Sequence, residues 1–377
     1  MPPSIAENTM SEPRFGLWAP VYGPWGARHH PGEQAQTSYK FSRDIVVEAE
    51  RLGFKTVMIA QHIINPLNNE YDQLETWSAA AGFAEATEDI ELIGAVKPFF
   101  FHPAILAKIA LGIDEISSGR FAINLISGWY MPEMEQAGLP IRDHEDRYSF
   151  SREWLHIVKS LWRDEAISFD GDHFKIKDLH FHPGPVAQPW PRIYLGGESE
   201  PARALAADEA DVYLINGRPL ELMRQLIADL RRRPRRNGQP LRFGTAGFVI
   251  ARATQVEADE EHEYLAELAA PQDYTKLLKG IDPAVEMFKT FGNGPRGLGT
   301  NGGTSLGLVG DYDTIARRIV ELSETGIETF LLQFQPMKSE LRRFAEQIMP
   351  RVRELQRQAG RTTISENEAR SYTTSLD

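Results

Sequence analysis

The chain has 377 residues, of which 42% are hydrophobic and 25% charged, the balance of an ordinary globular protein. Its net charge of −12 argues against a surface built for nucleic acid or anionic lipid. The absence of cysteine excludes disulfide frameworks, thiolate metal sites, cysteine nucleophiles and iron–sulfur clusters. No apolar stretch approaches the length of a membrane span, and residues 1–12 lack the apolar core of a signal peptide, so a cytoplasmic location is expected.

Apolar runs bounded by turn residues alternate with segments of helical period. Strand 16–21 precedes a helix over 38–52, with Ile45, Val46, Ala49 and Leu52 on one stripe and Gly53 as its stop. Strand 56–60 leads to helix 75–86, and strand 90–96 to helix 103–116, which Pro103 opens in its preferred first-turn place. After strand 121–127 an excursion over 128–191 holds a helix at 149–162. It also holds a hairpin, 167–169 with 174–176, turned by Gly171 and Asp172.

Strand 192–195 ends in Gly196-Gly197, and helix 201–209 leads to strand 212–215. Helix 220–232 leads to strand 243–250, and its basic end, Arg231 to Arg236, reads as a solvated helix terminus rather than a nucleic-acid arm. A second excursion over 253–304 precedes a short apolar run at 306–309. Helix 314–325, strand 328–333 and helix 340–356 follow. Eight short apolar strands in βα order predict an α/β fold, a (β/α)8 TIM barrel with loop insertions after strands 4 and 7. An open doubly wound sheet is the alternative. The expected organisation is a flexible terminus at 1–13, one barrel domain over 14–358 and a flexible tail at 359–377.

Chemistry in such barrels lies at the carboxyl ends of the strands. Trp18, Tyr22, Gln61 and His62 fall there, as do Lys97, Phe99 to Phe101 and His102. So do Asn124, Ser127, Trp129, Asn216, Phe248 and Gln333 to Gln335. Aromatics and amides dominate. The converging ligands of a metal hydrolase and the paired carboxylates of a glycosidase are missing, so no metal is expected. Lys97 is the one strand-borne lysine that a Schiff base could use. Such a wall suits a large planar heterocycle. Gly196-Gly197 with Ser199 lets backbone and a helix N-terminus approach an anion, unfavourably for Glu198 unless its side chain turns away. Arg147 and Tyr148, in the charged run 143–148 before helix 149–162, could add a charge-assisted and a hydroxyl bond.

The run Ser117-Ser118-Gly119-Arg120-Phe121, continuing through Asn124 to Trp129, strongly resembles the bacterial-luciferase-like flavin monooxygenases. So do His144 to Tyr148, Gly196-Gly197 with Ser199, and Val309-Gly310-Asp311 before a helix. These landmarks keep order and spacing from about residue 14 to 355. The nearest branch contains two-component enzymes acting on alkanesulfonates, dimethyl sulfone and pyrimidines. The resemblance implies reduced FMN supplied by a separate NAD(P)H-dependent flavin reductase, with oxygen adding to the flavin to give a peroxide that attacks substrate. By position it implies Asn124 at the polar edge of the flavin ring, Glu133 near the ring or ribityl chain, and Ile59 and Ala60 in backbone contact. Arg147, Tyr148, Gly197 and Ser199 would hold the phosphate.

Three departures bear on substrate. Sulfonate-cleaving relatives carry cationic residues where this chain has Ala246, Phe248 and Asn301, so a neutral sulfone, heterocycle or aromatic ring is expected instead. His62, His102 and Asn124 are the catalytic candidates, and Trp18, Phe99, Phe101, Trp129 and Phe248 the substrate walls. The glycine-rich run 292–303 reads as a lid. A homodimer or homotetramer is expected from relatives, with Ile116, Phe121 and Trp162 suiting helix-pair interfaces. A deazaflavin-dependent oxidoreductase transferring hydride, or a non-catalytic flavin binder, are the alternative readings.

Overall fold

The computed structural model describes residues 12–23, 30–33, 37–128, 130–164, 166–235, 238–270, 279–280 and 298–359. The first four strands are β1 (Arg14–Trp18), β2 (Thr56–Ile59), β3 (Glu91–Val96) and β4 (Phe121–Leu125). A hairpin, β5 (Ala166–Asp170) and β6 (Lys175–His180), then stands outside the barrel. β7 (Arg192–Gly196), β8 (Val212–Ile215) and β9 (Arg242–Phe248) follow. Short β10 (Ile250–Arg252) and β11 (Val309–Asp311) pair with each other, and β12 (Ile327–Gln333) is last. Eight of these close a parallel barrel in the order β1-β12-β9-β8-β7-β4-β3-β2.

Ten α-helices are described: α1 (Tyr39–Arg51), α2 (Thr76–Ala86), α3 (Pro103–Ile116), α4 (Pro132–Gln136), α5 (His144–Arg163), α6 (Glu200–Glu209), α7 (Leu220–Arg232), α8 (Gln255–Ala269), α9 (Tyr312–Glu324) and α10 (Met337–Arg343). A π-helical stretch, Phe344–Ile348, carries α10 into a helical run over 349–359.

Most helices begin where their caps dictate. Ser38 accepts from Phe41 N (3.2 Å), and the Glu75 carboxylate accepts from Trp77 N and Ser78 N. α3 matches its expected bounds. Two expectations need correction. α5 starts at His144, not 149, because Asp143 caps it by accepting from Asp146 N (2.8 Å). Arg147 and Tyr148 therefore sit on the helix itself. The expected single strand 243–250 divides at Val249, so that β9 closes the barrel and β10 leaves it to pair with β11. Phe121 and Trp162, expected at an oligomer interface, are 2% and 3% exposed in the core of this chain. Ile116 stays exposed.

The resemblance-bearing run 117–121 has a structural task. Ser118 and Gly119 take positive φ and turn the chain out of α3. Arg120 then reaches back beneath α2, donating to Ala84 O (3.0 Å), Thr87 O (2.8 Å), Ile90 O (2.8 Å) and Ser117 O (2.8 Å). One guanidinium thus ties the end of α2, where Thr87 Oγ1 also donates to Phe83 O (2.7 Å), to the chain entering β3 and to the turn after α3. Replacing it strands those acceptors. Arg120→Met is expected to destabilise the fold by about 3 kcal/mol, read as a lower urea midpoint with the cooperativity of unfolding retained.

Candidate active site

Side chains alternate in and out along each strand, so inward positions form a ladder. Met58, Ile93, Ala95, Ala122, Tyr194, Val212, Ala246 and Leu331 fill the barrel interior. Glu91 closes the amino end of the barrel against Arg14 (2.8 Å), Tyr194 (2.7 Å) and Arg192. The next inward rungs open at the carboxyl end as a cleft with an empty volume, mouth included, of about 1350 Å³. Its floor is small and apolar: Ala60, Ala95, Ile126, Leu214, Ala246 and Leu331.

Asn124 rises from this floor at 3% exposure. Its Nδ2 meets only the Met58 sulfur (3.8 Å), and its Oδ1 is buried without a partner among the described residues. An orphaned amide oxygen costs about 1–3 kcal/mol unless a bound group supplies a donor. At one end of the cleft the groups turn to donors. Arg147 is 3% exposed, and Ser199 Oγ donates to Tyr148 Oη (3.2 Å) instead of capping α6. Gly197, at φ +128°, brings backbone to the same spot, where a Cβ would sit 3.0 Å from that of Ala202. α6 begins directly after Ser199, so its N-terminus lies beside this end of the cleft. Glu198 does not oppose an anion, because it pairs with Arg218 and accepts from Asn216 Nδ2 (2.9 Å). The residues fit FMN: a donor-rich end for phosphate, an apolar floor, and an amide oxygen that a ring N–H would satisfy.

A buried ion cluster forms the opposite wall. Lys97, 1% exposed, contacts the Glu133 carboxylate, and its Nζ lies 3.1 Å from His62 Nδ1. Glu133 Oε2 accepts from Ile63 N (3.2 Å) and meets His62 Nδ1 (3.2 Å). Burial opposes the charge on Glu133, but Lys97 and His62 overcome it and hold the carboxyl at about 2. Burial first, and the Lys97 charge second, push His62 below its ordinary value, so its imidazole stays neutral.

The other expected residues divide. Trp18, Ala60, His62, Asn124, Arg147, Tyr148, Gly197 and Ser199 line the cleft. Ile59 points into the outer core, and Glu133 stands behind Lys97 and His62 rather than on the lining. His102 is exposed and spends its Nδ1 accepting from Ala104 N (3.3 Å) as the cap of α3, away from the cleft. Phe99 and Phe101 turn outward onto Phe150 and Trp77, because the short helix Pro98–Phe100 rotates them off the inward face. Phe248 lines a smaller adjoining cavity. Trp129 and residues 292–297 of the expected lid lie outside the described residues. The described part of that run docks firmly: Thr300 N donates to Gln333 Oε1 (2.8 Å), and Gly217 N to Asn301 O (2.7 Å).

Sequence reasoning missed the Lys97–Glu133 pair and the Thr300–Gln333 lock. Counting inward rungs along β3 would have aimed Lys97 into the cleft. Nothing local marks the partner of either.

The luciferase-like monooxygenase family model matches residues 21–329. The chain is 30% identical over 362 residues to an FMNH2-dependent dimethylsulfone monooxygenase of Pseudomonas putida, covering 93% of this chain and 98% of that protein. DmoA from Hyphomicrobium sulfonivorans has the same fold at a TM-score of 0.75 and 19% identity, over 91% of this chain and 88% of its own. A long-chain alkane monooxygenase superposes at a TM-score of 0.77 and 18% identity, over 91% and 92%. The chain belongs to the luciferase-like monooxygenase family.

The buried ion pair yields a stability test. Lys97→Met leaves a carboxylate without its cation and is expected to cost about 3–5 kcal/mol in urea unfolding. Adding Glu133→Gln should recover a large part of that loss. Glu133 also sets an acid limit. Its carboxyl is lowered from 4.5 to about 2, so its contribution is complete above 4.5 and declines as pH falls toward 2. Wild type should lose stability across that window more steeply than the double variant.

Proposed function

We propose that the protein is a two-component monooxygenase that uses reduced FMN and O2 to oxygenate a small neutral organic substrate, with the reduced FMN delivered by a separate NAD(P)H-dependent reductase. The observation that carries the reading is the division of one cleft into a donor-rich end and an apolar floor bearing the Asn124 oxygen, which has no partner among the described residues. When bound, reduced FMN supplies the electrons that split O2, one atom going to product and one to water.

The chain's own residues bind, orient and shield. Arg147, Tyr148 and Ser199 grip the phosphate, Gly197 lets it approach the backbone, and Ala60 and Asn124 meet the ring. The apolar floor keeps water from the reacting centre. His62, neutral and held by Glu133, can hold or pass a proton at the cleft wall. Glu133 and Lys97 position that imidazole. Ala246 and Asn301, on the cleft wall, offer no cation for a sulfonate, which supports a neutral substrate.

Binding of FMN and riboflavin, followed by flavin fluorescence, checks the phosphate assignment. Arg147→Met should weaken FMN by roughly 10- to 100-fold and leave riboflavin within twofold. Equal weakening of both flavins would contradict it. Turnover is checked with a generic flavin reductase, NADH and dimethyl sulfone. Oxygen consumption linked to substrate loss is expected, whereas activity only with a deazaflavin would favour hydride transfer.

A further inference from the structure

A smaller cavity adjoins the flavin cleft, with Trp18 and Tyr22 in the walls of both. Phe41, Phe248, Phe334 and Met337 complete its apolar sides, and its empty volume, opening included, is about 440 Å³. Its polar groups are few. Gln333 is committed to Thr300, donating to Thr300 Oγ1 at 2.6 Å. Trp18 Nε1 is buried with no acceptor among the described residues. Glu33 accepts from Met337 N (2.8 Å) through Oε1, bonds the Gln335 side chain, and keeps Oε2 buried.

We propose that this chamber recognises the substrate, and that it takes a compact neutral molecule whose oxygen atoms accept hydrogen bonds from the Trp18 indole N–H and the Glu33 carboxyl. The inference rests on the reduced-FMN reading above. Three features carry it. A buried indole N–H with no acceptor among the described residues is costly to leave unpaired, and a ligand oxygen would satisfy it. The walls are aromatic and thioether, suited to methyl or methylene groups. The described lining offers no cation, so the burial of an anion such as a sulfonate would go uncompensated there.

Glu33 can donate only while protonated. Burial raises it to about 7 against the opposing bonds from Met337 and Gln335. The neighbours that line the cavity with it are Phe334 and Gln335 after β12, Met337 of α10, Phe41 of α1, Phe248 of β9, and Trp18 and Tyr22. Of these only Tyr22 titrates, and burial holds its phenol above its ordinary value. In the same loop, His30 Nδ1 accepts from Gly32 N (3.0 Å), and burial lowers its pKa.

The test titrates FMN-loaded protein with dimethyl sulfone and with methanesulfonate, reading the flavin absorbance change. Dimethyl sulfone should saturate, with methanesulfonate at least tenfold weaker. Trp18→Phe should weaken the sulfone by about tenfold, the loss of one buried hydrogen bond of ~1.4 kcal/mol. Sulfone affinity of the wild type should fall as pH rises through about 7, and Glu33→Gln, which keeps a donor, should abolish that dependence. If FMN itself does not bind, the reduced-FMN reading fails and the chamber with it. If FMN binds but the sulfone does not, or the anion binds equally well, or both variants behave as wild type, the chamber assignment is overturned and the flavin reading stands.

Discussion

The alternation of side chains along parallel strands is the constraint on which this site depends. Closing eight strands forces every second residue toward one axis, where space is limited and water is excluded. The lower rungs must then be apolar and complementary, as Met58, Ile93, Ala122 and Leu331 are. The upper rungs, released from packing, become the floor and walls of a cleft. Asn124 is simply the rung above Ala122, and Lys97 the rung above Ala95. The same two-residue step that builds the core therefore delivers an amide and an ammonium to the place where a planar cofactor would lie.

Electrostatics divide that cleft into regions with separate duties. Donors gather at the start of α6 and on the first turn of α5, and the one carboxylate among them, Glu198, is neutralised by Arg218. Across the cleft Lys97 and Glu133 cancel each other in a buried contact that also fixes His62. A lone cation there would be costly to bury, and a lone carboxylate would repel a reduced, anionic ring. Paired, they leave the wall close to neutral while constraining the imidazole and the backbone at Ile63. The loop bearing Thr300 and Asn301 is fastened by Gln333 and Gly217, which holds that side of the cleft in shape.

Much of this was readable from the residues, for identifiable reasons. Strands and helix starts follow local rules, so Pro103, Ser38 and the apolar run at 121–125 announced themselves. Arg147, Tyr148 and Ser199 could be grouped from contiguous motifs, and the structure brings them to one cleft, yet the start of α5 was misplaced because Asp143 was read as part of a charged run and not as its cap. His102, Phe99 and Phe101 were expected at the site but lie off the cleft lining, because adjacency to a strand end says nothing of rotation. A single 3₁₀ turn sends both phenylalanines outward. The Lys97–Glu133 contact spans 36 residues, and the approach of Glu33 to Met337 spans 304. Pairings of that range are properties of barrel closure and leave no local signature.

The central claim is that this cleft binds reduced FMN and governs its reaction with oxygen. Its most direct test mixes anaerobic protein carrying photoreduced FMN with oxygenated buffer in a stopped-flow spectrometer. The account predicts a 1:1 complex whose return to oxidised flavin is markedly slower than that of free reduced FMN, with the rate altered by a neutral sulfone. Reoxidation at the free-flavin rate, together with no measurable binding of either redox form, would contradict it.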